Sequence, residues 1–258
     1  MQILRSVPDA AASPIALTIG NFDGVHLGHQ AMLARLRAAA SARGLSACVM
    51  TFEPHPREFF APDQAPVRLT TLREKLELLA QHGVDRVQVC RFNFALAQVT
   101  AQEFIERILV RGLGVRWLQV GDDFRFGARR AGDLNMLKAH AARHGYAVEA
   151  MATVELDGER VSSTAVREAL AAGDMTKAGR LLGHPYRISG RVVRGDQLGR
   201  KLGFPTANVQ MKHNRPPLTG IFAVEFRRGR GAPVQGVASL GVRPTVKVQG
   251  AAPVLEVY

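Results

Sequence analysis

The sequence predicts an α/β protein: a parallel, doubly wound sheet with helices on both faces, followed by a small antiparallel β-barrel. Two observations point to the first part. Apolar, strand-like runs at Ile15–Gly20, Ala47–Phe52, Arg86–Cys90, Arg116–Val120 and Tyr146–Thr153 alternate with stretches of helical periodicity. Ile15–Gly20 is moreover a short apolar run of the kind that suits a strand buried on both faces. A third observation points to the barrel. From Tyr186 the pattern turns to short β-rich pieces broken by Gly and Pro, at Tyr186–Val193, Phe222–Phe226, Val234–Leu240 and Val254–Tyr258. The change follows Leu181-Leu182-Gly183-His184-Pro185, which ends the last helix, so the expected domains are 1–184 and 185–258.

Each element has a local cause. Met32, Leu33 and Leu36 repeat at helical spacing up to Gly44. After the second strand, Thr51-Phe52-Glu53-Pro54-His55-Pro56 carries two prolines, which are expected to stop regular structure and leave His55 in a loop. Thr71-Leu72-Arg73-Glu74 and Thr100-Ala101-Gln102-Glu103 are capping boxes. The first opens a helix with Leu72, Leu76 and Leu79 on one side, the second a helix carrying Phe104, Ile105, Ile108 and Leu109. A further helix is expected near Leu134–His144.

The chemistry concentrates where a strand meets a helix. Thr18-Ile19-Gly20-Asn21-Phe22-Asp23-Gly24-Val25-His26-Leu27-Gly28-His29 reads as a strand end, a glycine-punctuated turn and a helix start. A helix N-terminus presents unpaired N–H groups and the positive end of the macrodipole, so it can hold a phosphate. Residues three apart share a helix face, so His26 and His29 can address one ligand, and Gly28 lets that ligand approach the backbone. Two histidines that merely cap an amphipathic helix are the plainer reading; the preceding strand and the glycine breaks favour a phosphate clamp. In doubly wound sheets ligands bind beyond the carboxyl ends of the strands, where His26, His55 and Gly121-Asp122-Asp123-Phe124-Arg125-Phe126-Gly127 would lie. That last segment can hold a phosphorylated flat ring, or can be a turn with a phenylalanine packed inward; residue types alone leave both open. Ser162-Ser163-Thr164 before Arg167 stand at a helix start, where ordinary helix caps explain them fully. Gly195-Asp196-Gln197-Leu198-Gly199-Arg200-Lys201-Leu202 has the look of a P-loop, but its spacing is wrong and the hydroxyl after Lys is missing.

Gly20-Asn-Phe-Asp-Gly-Val-His-Leu-Gly-His29 resembles the signature of the bacterial bifunctional riboflavin kinase/FMN adenylyltransferases, a branch of the His-x-Gly-His nucleotidyltransferases. Gly121–Gly127 and Ser162–Arg167 resemble later motifs of the same family, and Gly195–Asn208, ending in Pro-Thr-Ala-Asn, resembles the riboflavin kinase signature. The resemblance implies a Rossmann-like nucleotidyltransferase domain that moves AMP from ATP to FMN, giving FAD and pyrophosphate, and a riboflavin kinase-like barrel that makes FMN. It implies ATP-phosphate contacts from Gly20, Phe22, Asp23, Gly24, Gly28, Ser162, Ser163 and Thr164, with His26, His29 and Arg167 neutralising charge. It implies flavin contacts from His55, Asp123, Phe124, Arg125 and Phe126. Some members carry a second arginine where this chain has Ala165, so no role is carried there. In the kinase part, Gly195, Gly199 and Gly203 would cover ATP, Thr206 and Asn208 would bind Mg²⁺, and Glu256 would take the proton of the ribityl hydroxyl. Tyr258 stands where the family has His, and relatives continue for several dozen often acid-rich residues. The expectation is therefore an incomplete barrel, lacking its C-terminal strands and helix, with weak or no kinase activity.

The net charge of +12 admits nucleic acid, an anionic surface or phosphorylated small molecules. The basic residues are scattered and aromatics are only 6% of the chain, which gives little support to a stacking platform for single strands. No secretory h-region and no bilayer-length apolar run is present, so a soluble, cytoplasmic enzyme with small-molecule partners, and neither a membrane nor a nucleic-acid partner, is expected. Cys48 and Cys90 lie in apolar runs without metal spacing and are expected to be buried thiols. Another His-x-Gly-His transferase, acting on pantetheine phosphate or nicotinate mononucleotide, is the enzymatic alternative, and Pro-Thr-Ala-Asn argues against it. A flavin- or RNA-binding regulator on the same fold is the non-enzymatic one.

Overall fold

A computed structural model describes residues 1–194, 206–211, 215–229, 231–241 and 254–258. The chain packs as two compact units, 1–66 with 72–162, and 67–71 with 163–258.

The first unit is built on a six-stranded sheet in the order β1-β4-β3-β2-β5-β6, parallel throughout. Its strands are β1 (Gln2–Leu4), β2 (Ile15–Ile19), β3 (Ser46–Glu53), β4 (Arg86–Arg91), β5 (Val115–Gly121) and β6 (Ala147–Met151). Alternate residues of the central strands feed two separate cores, as strands buried on both faces must. Ile15, Leu17, Ile19, Cys48, Met50, Leu118 and Val120 face one core. Ala16, Ala47, Val49 and Trp117 face the other.

Helices cover both faces. Leu33, Leu36 and Ala39 of α1 (Leu27–Ser41) and Leu78 and Leu79 of α3 (Leu72–Gln81) complete the second core. Between α1 and β6, Arg35 donates two hydrogen bonds to the Glu149 carboxylate, at 2.6 and 2.7 Å. The first core is closed by α6 (Leu134–His144) and by the segment that starts as α5 (Ala101–Glu103). The capping box expected there is present: the Glu103 amide donates to Thr100 Oγ1 at 3.2 Å, and the Thr100 amide donates to Glu103 Oε2 at 2.9 Å. Phe104, Ile105, Ile108 and Leu109 are buried as the pattern requires, but Phe104–Gly112 is a π-helix. The apolar spacing fixes the buried face without distinguishing the wider winding.

Proline acts differently from expectation after β3. The Glu53–Pro54 bond is cis, and Pro56 occupies the first turn of a short helix, α2 (Pro56–Phe60), where a missing N–H costs nothing. His55 is its N-cap and not a loop residue: the Arg57 amide donates to His55 Nδ1, and Glu58 completes a capping box. The short elements β1, α4 (Phe94–Ala97) and the hairpin β7 (Glu155–Leu156)/β8 (Glu159–Arg160) escape pattern reading because a few residues carry no period.

In the second unit α7 (Ser163–Ala171) packs on α8 (Met175–Leu182), which ends at left-handed Gly183. The strands β9 (Gly190–Val193), β10 (Ala207–Met211), β11 (Gly220–Phe226), β12 (Val234–Gly241) and β13 (Val254–Val257) form an antiparallel sheet in the order β11-β12-β13-β10-β9. The expected strand from Tyr186 begins only at Gly190. Among the described residues the sheet is open, with β9 and β11 at its edges, and does not close into a barrel. Val209, Ala238, Leu240, Leu255 and Val257 are buried.

Candidate active site

The parallel sheet sets where a ligand can sit. The chain leaves β2 for β3 on one side of it and takes up β5 on the other, so a crevice opens between the carboxyl ends of β2 and β5. The segment after β2 turns sharply there. Phe22, Gly24 and Val25 all have left-handed backbones, with φ of 49°, 80° and 43°. This costs little for glycine and much for the β-branched Val25. Complete burial of the Phe22 and Val25 side chains offsets the strain and holds the turn. The Gly20 amide donates to Met50 O and Thr51 Oγ1 donates to Asn21 O, which ties the turn to β3.

His26 is the N-cap of α1, its Nδ1 accepting from the His29 amide at 3.3 Å. The two imidazoles stack with centroids 3.7 Å apart and planes 19° from parallel, and the Phe22 ring lies 4.9 Å from that of His29. The pair expected from their spacing is therefore present. Gly28 leaves the pair room: a Cβ there would lie 3.1 Å from the His26 ring. A Cβ at Gly20 would likewise press on Phe22 at 3.1 Å. Asp23 is buried beside them.

Burial first, then electrostatic repulsion from His26 and Lys75, hold the His29 imidazole well below its usual pKa. It is neutral at pH 7. Its Nδ1 is buried without a hydrogen-bond partner among the described residues. No acidic residue stands in the first turn of α1, so its positive end is uncompensated by the helix itself. A neutral, desolvated histidine at a helix N-terminus suits an incoming polyanion, which raises the basicity of the ring it meets.

After β5, Asp123 and Arg125 are exposed and paired, Asp123 with Arg160 at 3.2 Å and Arg125 with Asp133 at 3.3 Å. Phe126 takes the inward position, buried against Phe104, and Phe124 stacks on it at 5.6 Å. The packed-phenylalanine alternative thus describes Phe126, while Phe124 remains half-buried above it.

An aromatic group beyond the ends of β3 and β4 was not read from the sequence. Phe59, Phe60, Phe92 and Phe94 contact one another edge to face, with Phe60 67% and Phe94 70% exposed. The signal was available: Phe59-Phe60 and Phe92-Asn93-Phe94 each follow a strand end, in a chain with only 12 phenylalanines.

Ser162 closes the first unit and Ser163 opens α7 in the second, with Thr164 exposed on its first turn. One turn on, Arg167 Nε donates to Val67 O at 2.6 Å. In the antiparallel sheet Asn208 pairs in register with Glu256, and Glu256 with Ser239 on its other side. All three point away from the row of Val209, Leu255 and Leu240, since side chains alternate along a strand. Thr206 is exposed just before β10. Gly195, Gly199 and Gly203 lie outside the described residues.

The sequence model of the FAD synthetase family matches residues 9–165, and that of riboflavin kinase matches residues 182–258. A bifunctional riboflavin kinase/FMN adenylyltransferase of Pseudomonas fluorescens is 56% identical over 236 residues, covering 91% of this chain and 75% of that protein. The chain belongs to the bifunctional riboflavin kinase/FMN adenylyltransferase family. Other members are the proteins of the same description from Escherichia coli K12, 49% identical over 95% of this chain and 80% of that one, and from Haemophilus influenzae, 46% identical over 100% and 84%. Among solved structures, one described as a macrolide-efflux protein of Streptococcus pneumoniae superposes with a TM-score of 0.83 at 26% identity, covering 100% of this chain and 85% of that one. No described helix is long and apolar enough to cross a membrane.

Proposed function

We propose that the two activities of the riboflavin kinase/FMN adenylyltransferase family divide between residues 1–184, which make FAD from FMN and ATP, and residues 185–258, which make FMN from riboflavin and ATP. The observation that carries the first assignment is the stacked His26–His29 pair at the N-terminus of α1, beside the crevice between β2 and β5. The FMN phosphate is itself the nucleophile: its oxygen bonds to the α-phosphorus of ATP as the bond to pyrophosphate breaks. No covalent enzyme intermediate and no general base are needed. The work left to the protein is alignment and neutralisation of charge. The glycine-rich turn at Gly20, Phe22, Asp23, Gly24 and Gly28 holds the triphosphate. His26, His29 and Arg167 neutralise it, supported by Ser162, Ser163 and Thr164. His55, Asp123, Phe124 and Arg125 hold FMN, with Phe126 acting through Phe124. The exposed Phe60 and Phe94 rings offer an apolar platform to the isoalloxazine.

In the second reaction the ribityl hydroxyl oxygen bonds to the γ-phosphorus as the bond from that phosphorus to the ADP oxygen breaks and ADP leaves, and Glu256 accepts the hydroxyl proton. Gly195, Gly199 and Gly203 form the loop over the nucleotide. The hydroxyl of Thr206 and the amide oxygen of Asn208, beside the Glu256 carboxylate, are the hard oxygen donors that Mg²⁺ prefers, so the residues fit that ion. When bound, Mg²⁺ supplies charge neutralisation on the phosphates. The cytoplasm is the proposed location, where ATP is abundant and where buried Cys48 and Cys90, with thiol pKa values pushed up to about 12 by desolvation, stay reduced.

The chain with ATP, Mg²⁺ and FMN is expected to yield FAD, and with riboflavin to yield FMN in place of the weak or absent kinase activity first expected, because the riboflavin kinase model matches residues 182–258; both products are read by chromatography. His29→Ala is expected to stop the first product and spare the second. Failure to form FAD from FMN overturns the assignment of the first domain, and failure to form FMN overturns that of the second.

A further inference from the structure

The face of the parallel sheet opposite α1 carries a second group of chemistry-bearing side chains. His140 and His144 are one turn apart on α6, with rings 4° from parallel and centroids 5.8 Å apart. Glu106 approaches them from the π-helical segment Phe104–Gly112. One ligand atom from each of the three residues falls within 4.8 Å of the other two.

The surroundings of the two imidazoles need an explanation. His140 Nδ1 and His144 Nε2 are both buried with no hydrogen-bond partner among the described residues, although a carboxylate is close by. Leaving two buried ring nitrogens unpaired is costly. The Glu106 carboxylate is itself oriented from behind, since Gln102 Nε2 donates to its Oε1 at 3.1 Å. Outer hydrogen bonds of this kind fix a metal-binding carboxylate in place. All three residues are half-buried, so the site excludes most competing water while keeping a path for an ion.

We propose that Glu106, His140 and His144 bind one divalent transition-metal ion of the zinc class. The donor set decides the class. Two imidazoles and one carboxylate match Zn²⁺, whereas Mg²⁺ and Ca²⁺ take oxygen donors almost alone. With bonds of about 2.0 to 2.2 Å, tetrahedral zinc brings its donors to roughly 3.4 Å of one another. Binding therefore draws the three side chains together by up to about 1.4 Å and leaves the fourth position to water. It also clips the π-helical segment to α6 across the lip of one hydrophobic core, so the ion stabilises the fold and takes no part in phosphoryl chemistry.

The test uses the whole chain, stripped with a chelator. Titration with Zn²⁺ in a calorimeter is expected to show one site, and excess Mg²⁺ is expected not to compete. His140→Asn combined with His144→Asn should abolish that site. Gln102→Ala, which leaves all three ligands in place, should weaken it about tenfold. Zn²⁺ should raise the Tm of the wild type and leave that of the double variant unmoved. Equal Zn²⁺ binding by wild type and double variant overturns the proposal, because the ion then sits elsewhere. Should the double variant not fold, Co²⁺ added to the wild type decides: intense visible bands of a four- or five-coordinate ion support the site, and only the weak bands of hydrated Co²⁺ overturn it.

Discussion

Asn208 and Glu256 stand directly opposite each other on neighbouring antiparallel strands, although 48 positions separate them in the chain. Directly paired residues have Cβ atoms about 4.5 to 5.5 Å apart on the same sheet face. An amide oxygen and a carboxylate at that spacing can serve one phosphoryl transfer. Glu256→Gln keeps the shape and loses the base, so riboflavin phosphorylation should fall by about 10² to 10⁴. FAD formation from supplied FMN should be unchanged. Asn208→Leu should raise the Mg²⁺ requirement of the kinase step alone. Equal loss of both activities in Glu256→Gln would show instead that the strand pair holds the fold.

The complementary separation belongs to His29. His29→Ala removes the ring between Phe22 and His26 and should reduce adenylyl transfer by about 10² to 10³, mostly in kcat. Kinase activity in the same preparation serves as the folding control.

The depressed pKa of His29 has a direct consequence for stability. In the unfolded chain an ordinary histidine titrates near about 6.5. In the folded chain it titrates lower, so the unfolded state binds more protons between the two values and stability rises with pH there. Above about pH 6.5 the contribution is complete, and acidification below it destabilises the fold. His29→Gln should flatten the urea midpoint against pH in that window, and an unaltered slope would assign the dependence to other groups. The same lowering predicts proton uptake when ATP binds. It is measured as a binding enthalpy that varies with the ionisation heat of the buffer.

Phe60 and Phe94 can be tested with little effect on the fold, because both are mostly exposed. Each aromatic contact to a flat ring is worth about 0.5 to 1.5 kcal/mol. The double change to Ala should raise KM for FMN about tenfold, leaving KM for ATP and thermal stability near the wild type. A rise in both KM values would remove the two rings from the flavin site.

Gly127 is required by geometry. Its φ is 73°, and a Cβ there would lie 2.6 Å from the backbone N and Cα of Ala101. Gly127→Ala combines a left-handed penalty of about 1 to 2 kcal/mol with displacement of the Thr100 capping box. Its urea midpoint should fall by more than that penalty alone, with an unchanged m-value.

What the sequence alone determined is what local chemistry and periodicity encode. The apolar run from Ile15 announced a strand buried on both faces, Thr100 and Glu103 announced a helix start, Gly183 announced a stop, and the glycine-spaced His26 and His29 announced a histidine pair at a helix start. Each signal lies within a few residues. The tertiary structure decided everything that depends on which distant segments meet. The π winding of Phe104–Gly112 is a feature that no short-range spacing specifies. The register of β10 on β13 put Asn208 across from Glu256. The adjacency of β3 and β4 gathered four phenylalanines, and the packing of α6 on the π-helical segment brought Glu106 to His140 and His144. Such contacts arise from burial summed over the whole core, and that sum is not written at any one position.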